Sequence, residues 1–143
     1  MNGVITALIV GAGLVAGAFV AVIFGKQLVR RLQVSQDDRD RIVAAWSEVE
    51  DHIQSDDDTH WRMAVIKADA VLDMALRVKM FPGRSLNDRL NFAIYKYRNL
   101  RRVRWAHGLR NTLAHEPTRE LTHKEAAHAI TSFRLALREL GTL

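Results

Sequence analysis

The strongest constraint on the fold of this chain is an uncharged stretch near its N-terminus, residues 4–24, in which Thr6 is the only polar side chain. As an α-helix this stretch would be about 31 Å long, which matches the roughly 30 Å hydrocarbon core of a bilayer. No acidic residue precedes Asp37. The basic residues that follow the stretch are Lys26, Arg30 and Arg31. By the positive-inside rule, we expect a single-pass anchor with its N-terminus outside and the rest of the chain in the cytoplasm.

Three other interpretations of the same stretch stay open. A cleaved signal peptide carries its basic residues before the apolar run, whereas here they follow it. Residues 9–17 resemble a Gly-rich dinucleotide loop, but the acidic residue required about 20 positions later is missing. Gly13 and Gly17 form a small-xxx-small pair through which two anchors could pack closely. We therefore divide the chain into an anchor with a basic flank, residues 1–32, and a helical domain, residues 33–143.

Charge is distributed unevenly along the chain. The 21 Lys and Arg residues exceed the 16 Asp and Glu residues, for a formal net charge of +5. Acidic residues are concentrated early in the helical domain, and a basic cluster follows later: Lys96, Arg98, Arg101, Arg102, Arg104 and Arg110. Such a cluster attracts RNA, nucleotides or anionic lipid, and a solvated helix face has the same composition. The absence of cysteine excludes a disulfide framework and thiolate chemistry.

Beyond the anchor, apolar residues recur at the spacing of α-helices. Ser35 is predicted to cap a first helix. A second helix extends to about Met80, where residues 81–83, Phe-Pro-Gly, break the chain. Ser85 and Asp88 predict a capping box at the start of a shorter helix.

The C-terminal half of the domain predicts two more helices. One spans about Tyr97 to His115 and ends before Pro117, which cannot continue it. Thr122 and Glu125 form a capping box for the last helix. With no alternating strand pattern, we predict an all-α fold: four main helices plus one short helix in a bundle, preceded by a single transmembrane helix.

One of these helices carries polar side chains in a pattern typical of a functional site. An α-helix turns about 100° per residue, so side chains three or four positions apart share a face. The stripe that results consists of Arg104, His107, Asn111 and His115. Arg110 projects beside it. The two histidines lie eight positions apart with an amide between them, which does not match a zinc motif, and we predict neither a metal nor another cofactor.

This pattern suits phosphodiester chemistry without a metal. His115 could take or give a proton near neutral pH. Arg110 could stabilise the charge of a five-coordinate phosphorus through its planar guanidinium, and Asn111 could orient the imidazole or the phosphate. These three residues are the predicted catalytic group. The predicted substrate-binding residues are Arg101, Arg104 and His107.

The Arg110-Asn111-x-x-x-His115 segment resembles the Arg-x(4–6)-His signature of the HEPN superfamily, including the polar residue that often follows the arginine. The resemblance extends more loosely over about residues 36–141. The segments that carry it there are Ala68-Asp69-x-x-Leu72-Asp73, Pro82-Gly83-x-Ser85-Leu86-x-x-Arg89-Leu90 and Trp105-Ala106-His107. They are similar to an N-terminally anchored bacterial branch of the superfamily.

The resemblance implies an antiparallel helical homodimer in which the Arg and His of both subunits face one cleft. In active members of the superfamily, that cleft cuts RNA without a metal and leaves a cyclic phosphate. Other members act as toxin partners, nucleotide binders or interaction modules. We therefore expect a HEPN-like domain, tethered to the cytoplasmic face of the inner membrane, that dimerises and binds RNA or a nucleotide. A protein partner such as an antitoxin is also implied.

The same residues allow structural interpretations. Arg110 could pair with Asp69 or Asp73, His115 could stabilise the C-terminal end of its own helix, and His107 could be a packed interior histidine. The domain would then be a non-catalytic interaction module at the inner membrane face. Alternatively, it would be a scaffold that binds anionic lipid through its basic residues.

Overall fold

The computed structural model describes Val22, Gly25 and residues 34–143. Val34–Leu143 form one compact unit. The predicted anchor, residues 4–24, lies outside the described residues except for Val22, as do nearly all of residues 1–32. Among the described residues, no helix has the length and apolar character needed to cross a membrane.

The described domain is entirely helical, which confirms the predicted all-α class. Its helices are α1 (Gln36–Ile53), α2 (Asp58–Val78), α3 (Leu86–Lys96), α4 (Val103–His115) and α5 (His123–Glu139). A 3₁₀ helix, Arg98–Arg102, lies between α3 and α4. The predicted start of the polar helix at Tyr97 is therefore wrong as an α-helical boundary, because Tyr97 has φ −121° and ψ 85° and separates α3 from the 3₁₀ helix.

Local sequence chemistry sets most helix ends. The side chains of Ser35, Asp57 and Thr122 each accept a backbone N–H in the first turn of their helices. Ser85 and Asp88 form the complete capping box that the sequence predicts. Before it, Gly83 has φ 145°, and a Cβ there would lie 2.6 Å from the Cβ of Asp88, so this turn requires glycine.

Helix α2 is the centre of the bundle, because it contacts each of the other four α-helices. Its apolar face, which includes Val65, Leu72 and Leu76, is fully buried. Phe133 of α5 is the largest fully buried side chain. Since every neighbour packs on α2, a polar residue at the edge of this apolar face lies close to several helices at once.

The 3₁₀ helix and the first residue of α4 together present a different pair of side chains on each of three sides. Three residues make one turn, so positions three apart are aligned. Leu100 and Val103 are buried in the core. Arg98 and Arg101 line one surface cleft, whereas a second cleft is lined on this segment by Asn99 and Arg102.

We expect the capping box of α3 to make the free energy of unfolding of the domain depend on pH in the acidic range. Hydrogen bonds from the backbone and hydroxyl of Ser85 hold the pKa of the Asp88 carboxyl below its usual 3.8. Because the folded pKa is the lower one, this contribution is complete above the unfolded pKa and is lost as pH falls through the folded pKa. The unfolding midpoint of Asp88→Asn should therefore fall less than that of the wild type between about pH 5 and about pH 2. Equal falls in chemical denaturation curves would contradict this role.

Candidate functional site

Helix α4 turns its polar stripe towards α2 and α3 because its opposite face is held in the core. Val103, Ala106, Leu109 and Leu113 are buried. His107, Arg110 and Asn111 are partly buried, and they line a cleft of about 510 Å³ together with residues of α2 and of the start of α3. Three of the predicted site residues therefore meet in one cavity.

Asp69 of α2 lies at the centre of this group. Its side chain is 7 % exposed, and its Oδ1 lies 2.7 Å from Nδ1 of His107. Its Oδ2 lies 3.3 Å from Nε of Arg110 in an ion pair, although that N–H is not directed at the oxygen. A carboxylate removed from water needs compensating partners, and these two side chains of α4 supply them.

Two further contacts close a ring of four side chains. Nδ2 of Asn111 lies 3.3 Å from Nε2 of His107. The Nη1 group of Arg110 donates to Oδ1 of Asn111 at 3.1 Å. The four members, Asp69, His107, Asn111 and Arg110, are called the polar ring below.

The polar ring determines the tautomer of its histidine. A carboxylate only accepts hydrogen bonds, so His107 donates its Nδ1–H to Asp69. Nε2 then carries a lone pair and accepts from the Asn111 amide. An imidazole fixed in this way holds Nε2 in a defined direction, which is what a general base needs.

A second ion-pair network closes the neighbouring end of the cleft. Arg89 of α3 is 5 % exposed, lies 2.6 Å from Oδ1 of Asp73 and donates to the carbonyl of Gly83 at 2.6 Å. Asp73 also pairs with Arg77 at 2.8 Å. Of the two partners suggested by the sequence for Arg110, the structure therefore selects Asp69, because Asp73 already faces Arg89 and Arg77.

The other predicted site residues lie elsewhere on the stripe. His115 is the last residue of α4, is exposed, and does not line the cleft beside the polar ring. Arg104 donates to the side chain of Asn91 at 2.6 Å. Arg101 and Arg104 line an adjacent cleft of about 720 Å³ with Tyr95, whose side chain is 88 % exposed.

The expected contact between Asn111 and His115 is not the one formed, since the Asn111 amide contacts His107 instead. The sequence predicted His107 as a substrate-binding or packed interior residue and Asp69 as a partner for Arg110, but it did not predict the contact between the two. One signal in the sequence pointed to Asp69: it is a carboxylate at the edge of the apolar face of α2, and such a group requires a partner.

A ligand in this cleft would meet the carboxyl groups of Asp69 and Asp73, the oriented imidazole of His107 and the guanidinium of Arg110. Among residues 34–143, no three His, Asp or Glu side chains are grouped as ligands for a metal ion. In the Arg110 guanidinium, Nε lies next to Asp69 and Nη1 donates to Asn111. Arg110 lines the cleft, so an anion bound there would lie close to its guanidinium.

In comparisons with known proteins, no family model, no curated protein and no solved structure matches this chain.

Proposed function

We propose that this protein is a HEPN-like RNA-binding domain that cuts RNA without a metal in the cleft beside the polar ring. The observation that supports this most directly is the 2.7 Å contact between Nδ1 of His107 and the buried carboxylate of Asp69. It gives an imidazole a fixed orientation next to an arginine that lines the same cleft. Proton transfer and stabilisation of phosphate charge are the two requirements of metal-independent phosphodiester cleavage.

The proposed reaction needs one group to take a proton and another to give one. Nε2 of His107 removes the proton of a 2′-hydroxyl, whose oxygen attacks the adjacent phosphorus. Arg110 stabilises the five-coordinate phosphate, and Asn111 releases His107 to hold a phosphate oxygen. The 5′-oxygen leaves with a proton from His115, so the products are a 2′,3′-cyclic phosphate and a 5′-hydroxyl.

This reaction requires a homodimer. His107 and His115 are eight residues apart on one helix, which separates their backbones by about 12 Å. We propose that His115 of a second copy enters the cleft instead, so that each of two sites is built from both copies. This arrangement agrees with the dimer implied by the HEPN resemblance.

The adjacent cleft is proposed to bind the RNA chain. Arg98, Arg101 and Arg104 supply positive charge, which attracts phosphates without regard to sequence. The exposed ring of Tyr95 offers a base a surface on which to stack. We place the domain at the cytoplasmic face of the inner membrane, tethered through residues 4–24, with an antitoxin-like protein as a partner that would block the cleft.

We expect Arg110→Ala and His115→Ala each to lower RNA cleavage at least about 100-fold, because each removes a group that acts on the transition state. The assay is cleavage of a labelled RNA in EDTA by the full-length chain in detergent micelles. Arg138→Ala and His60→Ala are the matched controls, since both residues are exposed and lie away from the cleft. Unfolding curves show whether each variant stays folded. Cleavage that survives both substitutions would contradict the proposal.

Mixing the two inactive variants tests the shared site. In a mixed dimer, one site lacks both Arg110 and His115, whereas the other retains both. About a quarter of the wild-type activity should therefore return when equal amounts exchange subunits, since about half of the dimers are mixed and each has one intact site of two. No recovery in a mixture shown to contain mixed dimers would mean that each copy acts alone.

A non-catalytic interaction module is the second candidate. It is favoured by two exposed aromatic side chains on α3, Phe92 at 51 % and Tyr95 at 88 %, because exposed aromatics often mark protein interfaces. If the wild-type dimer cuts no RNA, and if Phe92→Ala and Tyr95→Ala abolish binding of a protein partner, this candidate replaces the first.

A further inference from the structure

A further cavity, distinct from the cleft beside the polar ring and from the cleft beside Tyr95, lies on the side of α4 that faces away from the polar ring. It has a volume of about 720 Å³ and is lined by residues of the 3₁₀ helix, α4 and α5. Trp105 of α4 is 45 % exposed and contributes to this lining. On α4, Trp105 and His107 are two positions apart, about 200° around the helix, so the two cavities are separate.

The floor of this cavity suits a flat, aromatic ligand. The Trp105 and His128 rings lie 4.6 Å apart at centroids and 30° from parallel. Leu135 is 52 % exposed and lines the same cavity. A planar ring stacked on Trp105 would bury apolar surface of the indole and of the neighbouring leucine that is now exposed to water. Stacking on an aromatic side chain is a general way to bind a nucleobase.

The rim of the cavity supplies a cation. Arg102 lines it, and the arginine ion pairs of the described residues do not include Arg102. Arg98 and Arg101 lie beside it in a small adjoining cleft. The Arg102 guanidinium suits a phosphate, which arginine binds through paired hydrogen bonds.

Another part of the rim offers hydrogen-bond acceptors. The amide Nδ2 of Asn99 donates to Oε1 of Glu139 at 3.3 Å. This contact uses one of the two N–H donors of Asn99 and leaves Asn99 Oδ1 and Glu139 Oε2 as acceptors. A ligand edge with neighbouring N–H donors fits such a rim. Guanine has N1–H and N2–H₂ side by side, whereas adenine alternates an acceptor and a donor on the corresponding edge.

We propose that this cavity is a binding site for a guanine nucleotide. The base stacks on Trp105, its N–H edge faces Glu139, and its phosphate lies against Arg102. The proposal is independent of RNA cleavage, because it concerns another face of α4 and none of the residues in the polar ring. The ligand can be a free nucleotide or the 5′-terminal guanosine phosphate of an RNA chain, which present the same chemistry.

Binding of GMP and AMP to the full-length chain in detergent micelles tests this site, by isothermal titration. We expect GMP to bind about tenfold or more tightly than AMP, because adenine leaves the carboxylate without its donors. Trp105→Ala and Arg102→Ala should each weaken GMP binding about tenfold or more, through loss of stacking and of a charged hydrogen bond respectively. Arg138→Ala is the matched control, since it removes an exposed arginine next to Glu139 without touching the cavity.

Glu139→Gln separates specific recognition of the guanine base from the stacking and phosphate contacts that any nucleotide can make. The amide adds a donor where guanine needs an acceptor, so the preference for GMP over AMP should largely disappear while AMP binding changes little. A short RNA with a 5′-terminal guanosine phosphate identifies the source: binding equal to that of GMP supports an RNA end, and binding only of GMP supports a free nucleotide. Failure of both probes to bind, or GMP binding that Trp105→Ala and Arg102→Ala leave intact in folded protein, overturns the proposal.

Discussion

Asp69→Asn is expected to lower RNA cleavage by about 10³- to 10⁴-fold, the scale seen when the carboxylate that orients a catalytic histidine becomes an amide. The new amide can present a donor to Nδ1 of His107, which would then turn or change tautomer. Arg110 loses its ion-pair partner at the same time. Because the substitution changes no volume, we expect the bundle to stay folded. Asp69 thus acts as a positioning residue through His107 and Arg110.

Two further measurements separate this positioning role from a structural one. The Nδ1 proton of His107, which lies in the 2.7 Å contact with Asp69, should give a downfield NMR signal in the wild type that is absent in Asp69→Asn. Asp73→Asn is the matched control, since Asp73 lines the same cleft but contacts Arg89 and Arg77 rather than the polar ring. It should lose stability while keeping the NMR signal. Full cleavage by folded Asp69→Asn would disprove the role of the ring.

Phe133→Ala is expected to destabilise the domain by about 3–5 kcal/mol, since it leaves a cavity where a fully buried aromatic side chain stood. Phe92→Ala makes the same chemical change at a side chain that is 51 % exposed, where surface substitutions usually stay within about 0.5 kcal/mol. Urea unfolding of both variants measures the difference. Similar losses of stability at the two positions would show that α5 is not packed on α2 as described.

Local chemistry explains why much of the fold could be predicted from the sequence. Ser35, Ser85 and Thr122 act on backbone groups within three residues, so their caps depend on nothing distant. The break at residues 81–83 is equally local. The start of α4 could not be predicted in this way. Residues 98–102 are compatible with an α-helix, and what sets their conformation is tertiary: Leu100 is buried, and the Tyr97 ring packs edge-on against Phe81.

The candidate site shows the same limit. Helical spacing placed His107 and His115 at equal distances from Asn111, four residues on either side, so the sequence could not decide which imidazole the amide would contact. The decision comes from Asp69, on another helix, which fixes His107 from the opposite side. Sequence periodicity could therefore identify the stripe. It could not assign roles within the stripe, because those depend on how α2 packs against α4.

The 3₁₀ helix makes the length of this segment as important as its composition. A segment with three residues per turn moves every following side chain by about 120° when one residue is inserted or deleted. A deletion before Leu100 would bring Arg101 to its buried position, and an insertion there would bring Asn99. Either change would also exchange the residues that face the cleft beside Tyr95 and the cavity beside Trp105. A substitution at Arg98 or Arg102 changes one side chain. A change of one residue in length would instead change the side chains that line both cavities and the side chain that is buried in the core. Related chains that keep this function should therefore keep the number of residues in this segment.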